Sequence, residues 1–294
     1  METGLLFMTK RLNNILIKSA KDTDLKETHL SIQINLDGFS FSIYHPTIQK
    51  QIAFQRFEFR EKQHTPEKLL KEFQVVFEEN ELLNQSYKKV VVIHQNELAT
   101  AVPYEYFDEN NLKSYLSTSV KVLPIDYVSY DTLKHSQINI VYIPFVNINN
   151  YLFHKFGAFD FFHSMTMLVN ILQEKQINNE HHTVYINVHQ NSFELLVFNQ
   201  QELLLINNFE FQTAEDFIYY ILFTLEQLEL DPNAIFIELI GDIEKESELY
   251  LITYKYIRNV SFHNTSKPQL SIEFDSISKN SNFILFNHTQ QISN

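Results

Sequence analysis

Apolar and polar positions alternate through Leu30–Phe59, LSIQINLDGFSFSIYHPTIQKQIAFQRFEF. Leu30, Ile32, Ile34 and Leu36 stand against Ser31, Gln33 and Asn35, the period-2 pattern of a half-buried strand. Asp37-Gly38 follows, a dipeptide suited to a type I′ hairpin because both central residues of that turn need positive φ. Phe39, Phe41 and Ile43 carry the apolar face back, with Ser40, Ser42 and Tyr44 opposite. A turn around Pro46 leads to a third strand, Gln51–Phe59, so the predicted unit is a three-stranded meander.

At an offset of 152 residues the pattern returns as HTVYINVHQNSFELLVFNQQELLLINNFEF, His182–Phe211, with its turn at His189–Asn191. Laid without a gap from Ile34 to Phe59, the copies match at 8 of 26 positions. The identities are Ile34/Ile186, Asn35/Asn187, Ser40/Ser192, Phe41/Phe193, Gln49/Gln201, Phe57/Phe209, Glu58/Glu210 and Phe59/Phe211. Self-similarity at a long period points to an internal duplication.

The order of elements after each meander also repeats. Thr65-Pro66 opens a helix with an apolar stripe of Leu69, Leu70, Phe73, Val76 and Phe77. KVVVIH, Lys89–His94, reads as a buried parallel strand. Pro103 is expected to start a helical stretch bearing Phe107, Leu112, Tyr115 and Leu116, with loop through Leu133. INIVYIP, Ile138–Pro144, predicts another buried strand, then a helix ending at Gly157, a short strand over Ala158–Phe162, and a helix capped by Ser164. In the second copy Thr213 caps a helix, AIFIELI (Ala234–Ile240) is the buried strand, a helix bears Leu249 and Ile252, and Val260–His263 closes the sheet. LSIEF and FILF in the tail read as late edge strands. The expected division is 1–29, a lead-in either frayed or a short helix; 30–178, the first domain; and 179–294, the second domain with its tail. QINNE, Gln176–Glu180, marks the boundary.

Composition narrows the function. The chain of 294 residues suits two domains, and 26 Phe and 15 Tyr supply their cores. Zero Cys excludes a disulfide framework, a thiolate metal site and a Cys nucleophile, and suits a reducing cytoplasm. A formal charge of −13 repels phosphate backbones, so nucleic acid is not an expected partner. No apolar run reaches the roughly 20 residues that span a bilayer, and no signal-peptide pattern begins the chain. With 4 Gly in the whole sequence, there is little glycine for loops that wrap phosphate.

Three antiparallel strands, helix, buried strand, helix and strand, used twice, resemble an α/β fold of duplicated ribonuclease-H-like domains in an actin-like ATPase arrangement, mixed sheets with helices on both faces. This is the architecture of the actin, sugar-kinase and heat-shock-chaperone superfamily. YLFHKFGAFDFFHSMTMLVNIL, Tyr151–Leu172, looks like a passage of bacterial actin-like proteins of pilus and secretion platforms. LSIQINLDGFSFSIY and LLLINNFEFQTAEDFIYYILFTLEQL more specifically resemble an uncharacterised bacterial family with this fold, over about residues 30–265.

Active members of that superfamily bind nucleotide and metal in the interdomain cleft, with Asp-x-Gly-Thr in the first hairpin and Asp-x-Gly-Gly in the second. Here the hairpins read Asn35-Leu36-Asp37-Gly38-Phe39-Ser40 and Asn187-Val188-His189-Gln190-Asn191-Ser192. Gly241-Asp242 supplies one glycine where an adenosine loop has a pair. If a nucleotide binds, the resemblance implies Asp37, Gly38, Ser40, Asn191, Ser192 and Gly241 as its contacts. No catalytic residue and no metal ligand is assigned, and ATP with Mg is possible but disfavoured. His181, His182 and His189 bracket a strand and read as strand-end and surface histidines. Glu244, Glu246 and Glu248 read as a solvated first turn. FIYYILF, Phe217–Phe223, is apolar almost all round its helix, and reads either as core or as a docking face for a partner or a second copy. The favoured expectation is a degenerate actin-like scaffold that binds a protein partner; the alternative is an ATPase or phosphotransferase with substituted loops. A homodimer is compatible with either.

Overall fold

A computed structural model describes the backbone of residues 9–16 and the full residues 24–59, 65–176, 181–263 and 281–288. The first sheet contains β1 (Thr9–Leu16), β2 (His29–Asn35), β3 (Gly38–His45), β4 (Lys50–Phe59), β5 (Lys89–His94) and β9 (Asp160–His163), in the order β1-β4-β3-β2-β5-β9. The second contains β10 (His182–Val188), β11 (Ser192–Asn199), β12 (Glu202–Glu210), β13 (Phe236–Gly241) and β14 (Asn259–Phe262), in the order β12-β11-β10-β13-β14. β2 to β5 and β10 to β13 are parallel steps; the meanders are antiparallel. Setting β1 aside, the two sheets share one strand order. The duplication is therefore a duplication of fold.

Helices form where caps and stripes coincide. Thr65 accepts the Lys68 amide at 3.3 Å and Pro66 opens α1 (Pro66–Glu79), which buries Leu69, Phe73, Val76 and Phe77. Thr213 and Asp216 form a reciprocal capping box at α5 (Ala214–Gln227). α1 and α3 (Val146–Phe156) cover one face of the first sheet; α5 and α6 (Glu248–Tyr256) cover one face of the second. Between the sheets lies a shared core. It joins Phe54, Val91 and Ile93 of the first sheet to Tyr185, Leu196 and Phe198 of the second through α4 (Ser164–Lys175) and α7 (Phe283–Asn287).

Several expectations change. FILF is not a strand: Phe283–Phe286 lie in α7, which packs on β2 and β3 of the first sheet. The face holding Ser31 and Ser42 is therefore buried rather than solvated, with His288 Nε2 2.7 Å from Ser31 Oγ. LSIEF lies outside the described residues, as does the expected boundary beyond Gln176. Thr9–Leu16 in the lead-in is a strand, neither helix nor frayed end. α4 is capped by His163, whose Nδ1 accepts the Met165 amide at 3.2 Å, and Ser164 is its first residue.

Residues 99–142 hold a sheet of their own. β6 (Ala99–Pro103), β7 (Ser129–Leu133) and β8 (Ile138–Tyr142) pair antiparallel in the order β6-β8-β7, beside the short α2 (Leu112–Ser117). Ile138–Tyr142 is thus the centre of a small antiparallel sheet, and Pro103 ends a strand. Buried Asp131 ties this insert to α4: it accepts the His163 amide at 2.8 Å, Thr166 Oγ1 at 2.7 Å and Tyr142 Oη at 3.0 Å. Burial pushes the Asp131 carboxyl up to about 6, against the pull of those three donors. Among the described residues no helix is long and apolar enough to cross a membrane.

Candidate functional site: the cleft between the hairpins

The first hairpin closes with Asn35 opposite Gly38, so its loop is Leu36-Asp37 and Gly38 begins β3. Gly38 is not among the positive-φ residues, which corrects the type I′ expectation. Glycine is needed there because a Cβ would lie 2.2 Å from the Phe57 carbonyl oxygen of the neighbouring strand. The second hairpin pairs Val188 with Phe193, as the first pairs Ile34 with Phe39. The Phe59 amide donates to Asp37 O, and the Phe211 amide donates to Asn191 O. The two tips are therefore equivalent at an offset of 154: Asn35 matches His189, Asp37 matches Asn191, and Gly38 matches Ser192. The third strands keep the offset of 152, since the turn between the second and third strands is two residues shorter in the second copy. A gapless alignment misplaces the tips by two residues.

Both tips open on one cavity of about 380 Å³. Asp37, Gly38 and Ser40 line it with Gln33, Asn35, Arg56, Glu58, Gln95, Asn187, His189, Gln190 and Asp242. Asn191 and Ser192 line a small adjoining cavity of about 40 Å³ with Asn35, Asp37 and Glu194. Gly241 lies behind this wall at φ 88°, where a Cβ would meet Val188 O at 2.1 Å. The six residues named from sequence thus fall in or behind one cleft. Gly38 and Gly241 are explained there by backbone packing.

The cleft's polar groups satisfy one another across the domains. Arg56 of β4 forks onto Asp242, with Nη2–Oδ2 at 3.2 Å and Nη1–Oδ1 at 3.4 Å. Gln33 donates to Gln95 Oε1 at 2.7 Å, and the Gln95 amide nitrogen stands 2.9 Å from His189 Nδ1. His189 Nε2 reaches Glu194 Oε2 at 2.5 Å, and Asn187 donates to the same oxygen at 2.9 Å. Burial alone would lower the His189 imidazole, but the Glu194 charge and hydrogen bond outweigh it and raise it. Burial would likewise raise Glu194, and His189 holds it below the usual glutamate value instead. His189 is therefore no surface histidine. Glu194 carried a signal: it shares a strand face with buried Leu196 and Phe198, where a carboxylate needs a partner.

This donor set is a poor match to a triphosphate and its metal. Among the described residues, the cationic side chains lining the cavity, Arg56 and His189, are each committed to a carboxylate. The Asp37 amide, at the turn that would face phosphate, donates to Asn35 Oδ1 at 3.0 Å. The Asp242 amide donates to Val188 O at 2.7 Å. Among the described residues no three His, Asp or Glu side chains converge as metal ligands.

Residues 18–260 match a family described as protein of unknown function (DUF3822). A Bacteroides thetaiotaomicron protein with actin-like ATPase fold and unknown function is 26% identical, with a TM-score of 0.73 over 88% of this chain and 97% of that one. PilM, solved in a PilM-PilN type IV pilus biogenesis complex, superposes with a TM-score of 0.53 at 10% identity, over 92% of this chain and 99% of that one. No curated protein matches the chain.

Proposed function

This chain belongs to the DUF3822 family and has the actin-like ATPase fold, and we propose that it is a degenerate member that works as a protein-binding scaffold or assembly factor without ATP turnover. One observation carries the reading: the groups that would receive phosphate are spent on the protein itself. Arg56 is held by Asp242, His189 by Glu194, and the Asp37 amide by Asn35. Phosphoryl transfer needs positioned donors and metal to neutralise charge on the phosphate oxygens. A cleft whose cations are already neutralised offers little of that. The fold survives such a loss because packed cores hold it, while chemistry lives in a few loop residues.

PilM, of the same fold, occurs in a complex with PilN, which supports a partner-binding use of this architecture. The exposed aromatic face of α5, with Tyr219 60% and Phe223 45% accessible, supports it from this chain's own surface. Zero Cys suits a cytoplasmic site of action. Thermal unfolding with and without Mg-ATP tests the reading, since a ligand at 100 times its Kd stabilises by about 2.7 kcal/mol. The expected result is no shift in Tm. A saturable upward shift would favour the alternative, an ATP-using enzyme with substituted loops.

A further inference from the structure

Among the described residues the first sheet has one strand more than the second. The extra strand is β1, paired antiparallel with β4, Lys10 opposite Glu58 and Arg11 opposite Phe57. The duplicate of β4 is β12, which continues Phe57-Glu58-Phe59 as Phe209-Glu210-Phe211. Among the described residues the outer edge of β12 pairs with no strand. It is nine residues long, whereas β9 and β14 at the other sheet ends have four.

Backbone parity shows what that edge presents. Asn191 and Phe211 form a hydrogen-bonded pair, as do Asp37 and Phe59. Hydrogen-bonded and non-hydrogen-bonded pairs alternate along an antiparallel ladder. Phe54, Arg56 and Glu58 therefore turn their backbone groups toward β1, and Ile206, Asn208 and Glu210 turn theirs away from β11, β12 lying near β6 of the insert without pairing with it. The Asn208 amide is met by the Asn207 side chain at 2.9 Å. Beside the edge, ring contacts run outward from the core: Phe209 stacks on Tyr220 at 5.1 Å, Tyr220 meets Tyr219 edge-on at 5.4 Å, and Tyr219 stacks on Phe223 at 6.0 Å. A long edge flanked by apolar surface is a template for strand addition.

Charge and stoichiometry select the occupant. Residues 181–263 hold thirteen Asp and Glu against three Lys and Arg, a formal −10 of the chain's −13. Pairing β12 with β12 of a second copy would bring two such domains together. Each chain also has one β1 and two edges of the β4 kind, so a second copy's β1 would have to abandon its own β4. A cationic strand from elsewhere fits both constraints. We propose that the outer edge of β12 receives an extended, basic segment of a partner protein, added antiparallel as β1 is added to β4, with a cation facing Glu210 and apolar side chains against the Phe209–Tyr219–Phe223 face. The second sheet then gains the sixth strand of the first. This rests on the protein-binding reading and locates the partner.

A synthetic peptide of residues 9–16, TKRLNNIL, is the probe, titrated into the full chain with amide hydrogen exchange as readout. The expected result is saturable binding that weakens with salt and slows exchange over 203–211. Glu210→Lys, an exposed change, should weaken binding at least about fivefold, because like charges then stand directly opposite. Asn208→Pro, which removes an outward amide and leaves the ladder to β11, should weaken it as well. Absence of binding, protection confined to 50–59, or indifference to Glu210→Lys would overturn the proposal. Nucleotide plays no part in this measurement, so its failure is separable from a finding of ATP turnover.

Discussion

Arg56 and Asp242 clamp the cleft from opposite domains, and Asp242 holds the position in the second domain that Gln95 holds in the first. The Asp242 amide donates to Val188 O just as the Gln95 amide donates to Ile34 O. Each side chain then crosses to the other half, Asp242 to Arg56 and Gln95 to His189. Arg56 and Asp242 keep 28% and 36% of their side-chain surface in water. Their coupling in a double-mutant cycle of Arg56→Ala and Asp242→Ala should therefore be about 0.2–1 kcal/mol by denaturant unfolding. A coupling of several kcal/mol would mean that this pair, rather than the core around α4 and α7, holds the domains together.

His189 and Glu194 should behave as an ion pair, with Glu194 buried and His189 partly so. His189 is raised, so its contribution is full below the unfolded histidine value and is lost as pH rises through the folded one. Glu194 is lowered, so its contribution is present above the unfolded glutamate value and is lost as pH falls through the folded one. The pair thus stabilises most between the unfolded glutamate and the unfolded histidine values. NMR titration of His189 checks it. The midpoint should lie above that of a free histidine and fall in Glu194→Gln, where the charges of Asp242 and Glu97 are left to oppose burial. An unchanged midpoint would reject the pair.

Acid should destabilise this protein before carboxylates alone would. Burial keeps His94, His163 and His288 neutral, with pKa values near 3, 4 and 4. The unfolded chain takes up these protons near pH 6.5, so their stabilisation is full above that value and is lost on acidification toward 4. Asp131, raised to about 6, works in the opposite sense between 6 and 4. Three such protons against one leave stability falling as pH drops through 5, with a slope on the order of 2–3 kcal/mol per pH unit. Chemical denaturation from pH 7 to 4.5 measures it, and His94→Gln should flatten the slope by about one proton's worth.

Much of the fold was legible because it is built from repeated, strongly patterned strands. Leu30, Ile32 and Ile34 and their counterparts Val184, Ile186 and Val188 fill matching cores, and Thr65 and Thr213 cap matching helices. The insert was not legible. ATAVP and SYDTL are short edge strands without a clear alternation, and they reveal themselves when Ile138–Tyr142 lies between them. FILF gave no period over four residues, and the interdomain core decided that it is a helix. The cleft was found through its hairpins, while Arg56, Gln95 and Asp242 were missed because their pairing depends on how two domains meet. His189 and Glu194 lie five residues apart, and the turn between their strands brings them together.

The glycines separate packing from backbone freedom. Gly241 has φ 88° and no room for a Cβ beside Val188, whereas Gly157 has φ 76° and nothing within 4 Å. Gly157→Ala should cost about 1 kcal/mol or slightly more from the backbone alone. Gly241→Ala should cost clearly more, because the chain must also shift. Equal losses in parallel denaturant melts would show that the contact with Val188 is relaxed at little cost.

Phosphate release with Mg-ATP tests the central claim most directly, comparing the parent chain with Asp37→Ala. Asp37 is the carboxylate at the tip of the first hairpin and lines the cavity, and it is the residue on which any remaining nucleotide chemistry would most depend. The account predicts that parent and variant both release phosphate at the rate of buffer alone. Turnover by the parent that disappears in Asp37→Ala would contradict it and restore the enzyme.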